Sequence, residues 1–375
     1  MDTARCGGAP RRVTALEKST FRTTIAAVEA TRERLLTDLL RGVSRAFYLS
    51  LRVLPKGLRE PMGLAYLLAR AADTISDTRL VPPAERLRHL LAFRAALEGR
   101  ADVEQVRVIE QALTDKQALP AEKELLGALP QAFALLEALP KEDRQRVRQV
   151  VATLTRGMEM DLRFFPPEDS GRLAALPGAA ALDEYAYFVA GCVGEFWTGI
   201  TTAHARPLRH WDVERMSAVG VRFGKALQLT NILRDVPRDL RIGRCYLPSD
   251  RLAEIGLRPE DLLDPAVGDR ARPLLLELIG TALDHYRCAE EYLLAVPRRC
   301  LRLRLAVLWP ILIGLVTLAK LSREKAWLDP AVVVRAPQGW VYWMLAASVP
   351  AAFSNTLLRA WIAKLRRRGH DTNSA

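Results

Sequence analysis

The chain is 375 residues long, half hydrophobic and 26% charged, with a mean hydropathy of +0.01. That composition can bury a large core and excludes a disordered or collagen-like chain. Its 55 Lys and Arg against 43 Asp and Glu leave +12, which suits a polyanionic ligand, an anionic membrane surface or nucleic acid.

The N-terminal residues carry Arg5, Arg11 and Arg12 and then Glu17, Lys18 and Arg22, with no apolar run of the signal-peptide kind, so residues 1–22 read as a flexible start. Five cysteines (Cys6, Cys192, Cys245, Cys288, Cys300) form no CxxC pair; an odd, scattered set is a poor disulfide framework and points to a reducing, cytoplasmic setting. From residue 23 to 367 apolar residues recur three and four apart, as at Leu35, Leu36, Leu39, Leu40 and Val43, and period-two alternation is nearly absent. One large all-α domain is expected, with ten to twelve helices broken at Pro- and Gly-rich points such as Val81-Pro82-Pro83 and Phe165-Pro166-Pro167.

Near the end, Leu305 to Ala319 is an apolar run of 15 residues, short of the roughly 20 a spanning helix needs. A second run, Val341 to Leu358, includes Ser348, Pro350, Ser354 and Asn355. Both read as buried or interfacial helices. Trp340, Tyr342, Trp343 and Trp361 stand close to Lys364, Arg366, Arg367 and Arg368, which fits either a peripheral anchor on the inner face of a membrane or a capping helix with a solvated tail over 368–375.

The strongest chemical signal is a pair of acidic motifs, Asp73-Thr74-Ile75-Ser76-Asp77 and Asp235-Val236-Pro237-Arg238-Asp239. Carboxylates four residues apart share a helix face, about 5–6 Å from each other. Their apolar flanks, Leu64 to Ala71 and Leu227 to Leu233, place that repulsion beside a core, where a cation has to compensate it. Hard oxygen ligands favour Mg²⁺ bound together with substrate phosphates. Arg70, Arg234, Arg238, Arg241 and Arg244 lie around the motifs, with Gln228 and Asn231 preceding the second on the same face. Arginines gathered around acids, not spread over a basic surface, speak against nucleic-acid binding. A diphosphate leaving group ionised by metal would yield a carbocation, which needs a dry, aromatic pocket. Phe47, Tyr48, Tyr66, Tyr185, Tyr187, Phe188, Phe196 and Trp197 are the candidates for lining it.

Ser44-Arg45-Ala46-Phe47-Tyr48-Leu49, Leu64-Ala65-Tyr66 with Arg70 to Asp77, Tyr185-Ala186-Tyr187-Phe188-Val189-Ala190-Gly191-Cys192-Val193-Gly194, Gln228 to Asp235, and Gly243-Arg244-Cys245-Tyr246-Leu247-Pro248 resemble, in order, the squalene and phytoene synthase family. The resemblance runs from about residue 30 to 365 and implies an isoprenoid synthase fold, a monomer, with the acidic motifs facing each other across a central cavity. It implies that Asp73, Asp77, Asn231, Asp235 and Asp239 hold Mg²⁺ and that Arg45, Arg70, Gln228, Arg234 and Arg244 take the diphosphate. Ser44, Phe47, Tyr66 and Tyr185 would then line the reacting carbons, with Tyr185 favoured for proton transfer or cation steering. Gly157-Met158 and Ala190-Gly191 would flank the prenyl tunnel. Two departures stand out: Pro237, expected to kink its helix and re-aim Asp239, and Ala186, where many relatives have Cys.

The implied activity is head-to-head joining of two farnesyl (or longer prenyl) diphosphates. Thr74 in the first motif and the Leu308-Trp309-Pro310-Ile311-Leu312 segment look more like the squalene-forming branch, which passes through presqualene diphosphate and ends with reduction by NADPH. The alternatives are phytoene, dehydrosqualene or hydroxysqualene formation without reduction and, in another class, a non-catalytic membrane-associated helical protein.

Overall fold

The computed structural model describes residues 29–44 and 47–370, and these are almost wholly helical. The expected flexible start over residues 1–22 and Arg45, expected to take diphosphate, lie outside the described residues; Phe47 opens a helix, Phe47–Val53, but its side chain also lies outside them. Eight helices carry the argument: α1 (Lys56–Asp77), α2 (Lys141–Phe164), α3 (Cys192–His204), α4 (Val213–Leu240), α5 (Gly268–Ala295), α6 (Leu301–Leu321), α7 (Gln338–Ala351) and α8 (Asn355–His370). Among the described residues there are sixteen α-helices, more than expected, because prolines start short ones such as Pro120–Gly127 directly before another.

Two apolar cores form. One joins α1 and α2 through Leu64, Leu68, Val147 and Val151; the other joins α4, α5 and α6 through Leu229, Leu233, Leu283 and Leu312. Trp197 on α3 packs against both, so α3 stands at the seam. The seam is tight: a Cβ on Gly194 would lie 2.0 Å from the Gly220 carbonyl oxygen, and one on Gly224 2.3 Å from that of Ala190. Glycine is required there because two backbones touch. A single π-helical turn, Tyr187–Gly191, leads into α3 and widens the helix where Val189 and Ala190 face the interior.

A short parallel pair, β1 (Ala174–Ala175) with β2 (Arg244–Cys245), pins the chain that leaves α4. The turn before β2 uses Gly243 at φ +81°, where a Cβ would meet the Arg172 carbonyl oxygen at 2.6 Å. α4 itself starts at Asp212, whose side chain caps the Arg215 N–H at 3.1 Å, and it runs unbroken past Pro237 to Leu240.

The apolar run Leu305 to Ala319 becomes part of the 21-residue α6, which has the length and hydropathy (1.8) to cross a membrane but is 67% buried in the protein. The run Val341 to Leu358 is not one helix. It breaks at Ala352–Ser354 into α7 and α8, since Pro350 and Ser354 close a turn through Phe353 N–H to Pro350 O and Ser354 N–H to Ala351 O.

Candidate active site

Between the two cores lies a cavity of about 440 Å³ walled by α1 to α6, within the usual size range of ligand pockets. Its depth is apolar, with Leu154, Met158, Val193, Trp197, Phe223 and Val307. Its polar lining comes from two helices, Arg70 and Asp73 of α1 and Gln228 and Asn231 of α4. Tyr66, one turn before Arg70, completes that wall. The Trp197 indole N–H is buried without a protein partner.

Arg70 bonds both Asp73 and, at 2.8 Å, Glu122. The Asp73 side chain is 38% exposed and lines the cavity. Burial, and then the charge of Asp77, raise its carboxyl to about 6 in spite of Arg70. In the second motif Arg234 forks onto its neighbour Asp235 (2.8 and 2.5 Å), while Asp239 is pushed to about 7 by burial and by Asp235. Each motif therefore holds one carboxyl that resists ionisation.

Arg244 on β2 ties the motifs together. It lies 3.8 Å from Asp161 and 3.2 Å from Glu168, and burial, which opposes its charge, is outweighed by Tyr246, Asp161 and Asp77 around it. Asp239 feels both Arg244 and Asp161. The end of α1 and the end of α4 thus share one electrostatic neighbourhood, with Asp161 of α2 between them. Asp161 is raised to about 7, chiefly by burial. Tyr185 donates its hydroxyl to Asp161 Oδ2 at 3.0 Å and stacks on Tyr246 at 4.8 Å, but Asp161 Oδ1 is buried with no partner. Behind this, Glu168 receives Arg86 through two hydrogen bonds (2.9 and 2.7 Å), and Arg86 also donates to the Ser76 carbonyl at 2.9 Å, fixing the end of α1.

The structure brings Tyr66, Arg70, Asp73, Gln228 and Asn231 to the cavity, with Met158 and Ala190 from the expected tunnel. Asp77, Asp235, Asp239 and Arg244 sit in the neighbouring charged network. Ser44 is not part of the lining, because its hydroxyl is spent on the Leu40 carbonyl of its own helix. Tyr185 also departs from the expected place: it is buried behind the acidic motifs, and burial holds its hydroxyl far above the usual phenol range. Phe196 is core. Sequence reading passed over Asp161 and Glu168. The only signal for the first is an acid between methionine and leucine in Met158-Glu159-Met160-Asp161-Leu162.

Magnesium suits this donor set: hard oxygens, two carboxyls raised by burial and then by a like charge, and an orphaned Asp161 oxygen. Among the described residues no three His, Cys, Asp or Glu side chains converge into a ready cage, so the ion would need substrate oxygens to complete its shell.

Solved structures share the architecture. The ligand complex of TcSQS matches 91% of this chain and 92% of its own with a TM-score of 0.74 at 20% identity. A dehydrosqualene synthase in complex with ligand matches 86% and 97% with a TM-score of 0.59 at 19% identity. The class defined by fold and site is the all-α isoprenoid synthase. The squalene/phytoene synthase family profile matches residues 40–338, and the chain belongs to that family. Among curated relatives, the bifunctional lycopene cyclase/phytoene synthase of Arthroderma gypseum is 31% identical over 268 residues, 69% of this chain and 42% of that protein. The presqualene diphosphate synthase of Rhodopseudomonas palustris is 29% identical over 267 residues, 70% of this chain and 78% of that protein. The chain thus matches about two-fifths of the length of the fungal bifunctional relatives.

Proposed function

We propose that the protein is a Mg²⁺-dependent prenyltransferase that joins two farnesyl diphosphates head to head through presqualene diphosphate and, with NADPH as hydride-donating substrate, yields squalene. The observation that carries this reading is the apolar cavity whose polar lining comes from both motif helices, Arg70 and Asp73 on one and Gln228 and Asn231 on the other. A long hydrocarbon fits the depth, and a diphosphate fits that polar wall.

Asp73, Asp77, Asn231, Asp235 and Asp239 would hold the metal. When bound, Mg²⁺ supplies Lewis-acid neutralisation of the diphosphate charge. The guanidiniums of Arg70 and Arg244 take diphosphate oxygens, for which a planar fork is suited. Gln228 and Asn231 orient the same group through their carboxamides. The rings of Tyr66, Trp197 and Phe223 exclude water from the allylic carbons and face developing positive charge with their π-systems. Tyr185 acts as a positioning residue: its hydroxyl bond to Asp161 Oδ2 fixes that carboxyl beside Arg244.

A second reading, condensation without reduction, is favoured by the printed activities of the curated relatives, phytoene synthase and presqualene diphosphate synthase. Incubating purified protein with farnesyl or geranylgeranyl diphosphate, with and without NADPH, and analysing products by mass spectrometry separates the two. Squalene from farnesyl diphosphate with NADPH is expected. Consumption of the longer substrate with no squalene from the shorter would establish the second reading instead.

A further inference from the structure

The outer face of α7 is apolar and uncharged. From Gln338 to Ala351 the helix carries no charged residue, yet Tyr342, Trp343, Ala346, Val349 and Pro350 are exposed at helical spacing. The stripe continues over the turn into α8, where Phe353 is 53% and Leu357 56% exposed. Scattered apolar residues on a surface are ordinary, but a contiguous stripe marks a docking site.

Charge says what docks. From Ala331 to His370 there is no Asp or Glu, while Arg335, Arg359, Lys364, Arg366, Arg367 and Arg368 are all present. Arg366 is paired, with Glu290 at 3.0 Å, whereas Arg359 and Arg367 are exposed. The start of α8 is tied to a second basic segment: Arg304, wholly buried, donates to Asn355 Oδ1 at 2.7 Å and to the Val296 carbonyl at 2.6 Å, and the stretch between Val296 and Arg304 carries the exposed Arg298, Arg299 and Arg302. Aromatic and aliphatic side chains in a segment whose own charged residues are all cations complement an anionic lipid surface.

A second cavity, about 270 Å³, lies under the inner face of α7 at Val341, Met344 and Leu345. It shares Leu227, Asn231 and Pro310 with the main cavity, and at its other side Leu49 lines it and is 40% exposed. The two cavities therefore share a wall beneath this face.

We propose that the α7–α8 face seats the protein on an anionic bilayer, with the turn at Phe353 in the headgroup region, the α8 cations on lipid phosphates, and the cavity under α7 opening toward the acyl chains. The inference deepens the function proposed above, since an apolar product needs a lipid phase to enter. Flotation of the full chain with phosphatidylcholine vesicles, with and without phosphatidylglycerol, tests it, alongside turnover in detergent. The expected result is flotation with the anionic vesicles only, weakened by salt. Flotation should fall at least about tenfold in Val349→Glu/Phe353→Glu and, separately, in Arg359→Glu/Arg367→Glu, with detergent turnover unchanged in both. Wild-type protein that stays at the bottom of the gradient, variants that float as it does, or a self-associated form that buries Trp343 in place of lipid would overturn the docking face. Turnover in detergent judges the catalytic reading by itself, so failure of one is told apart from failure of the other.

Discussion

The burial of like charges decides how individual residues behave. Asp73 and Asp239 have carboxyls raised to about 6 and about 7, first by burial and then by Asp77 and Asp235 respectively, so in the free protein their ionised forms are destabilising. Replacing either by Asn removes an oxygen proposed for the metal and a repulsion together. Turnover should fall by about 100-fold or more, while the midpoint of thermal unfolding equals or exceeds that of wild type; a large drop in both would mean that the carboxylates serve the fold. Glu168 is the opposite case. Its side-chain bonds from Arg86 hold it down at about 2 against burial, so its stabilising effect is present above the unfolded value of about 4.5 and is lost as pH falls toward 2. Glu168→Gln leaves two buried guanidiniums short of a carboxylate and should cost about 3 kcal/mol at neutral pH. In urea unfolding the gap between wild type and variant should narrow as pH drops from 5 toward 2; a gap that is constant with pH would contradict the assignment. Legibility followed the same line. Arg70, Asp73, Gln228 and Asn231 could be picked from the sequence because spacing within one helix puts them on one face. Asp161 could not, since its partners Tyr185 and Arg244 are 24 and 83 positions away and only the fold brings them in.

Among the elements, the seam between α3 and α4 does the positioning. Gly194 and Gly224 let the backbones touch, on the helix whose Gln228 and Asn231 line the same cavity as Arg70. Gly224→Ala puts a methyl 2.3 Å from the Ala190 carbonyl oxygen, and the helices must separate. A loss of about 1–3 kcal/mol is expected, with kcat falling more than stability alone explains; full activity in the variant would show that the seam has slack. Periodicity made these helices readable from sequence, as it did the apolar run that became α6. It misjudged the other apolar run, because hydrophobicity alone does not register that Pro350 and Ser354 can close a turn, and it passed over the short helices that begin at proline. Pro237 does not end its helix: α4 continues past it to Leu240, and Asp239 stays within electrostatic reach of Asp235 and Arg244.

For the molecule as a whole, the question is whether two motifs 158 positions apart from Asp77 to Asp235 act on one substrate. The α1–α4 cavity and the shared reach of Arg244 to Asp77, Asp161 and Asp239 are the grounds for proposing that they do. Turnover should then vanish on chelation of Mg²⁺ and return on its addition, and damage to either motif should be felt by the whole site. The most direct measurement is the rate of pyrophosphate release from farnesyl diphosphate against Mg²⁺ concentration, for wild type, Asp73→Asn, Asp239→Asn and the double variant. The account predicts that each single change raises the Mg²⁺ requirement and cuts the rate, and that the double variant loses far less than the sum of the two. A single variant with the wild-type Mg²⁺ profile, or losses that simply add, would contradict it.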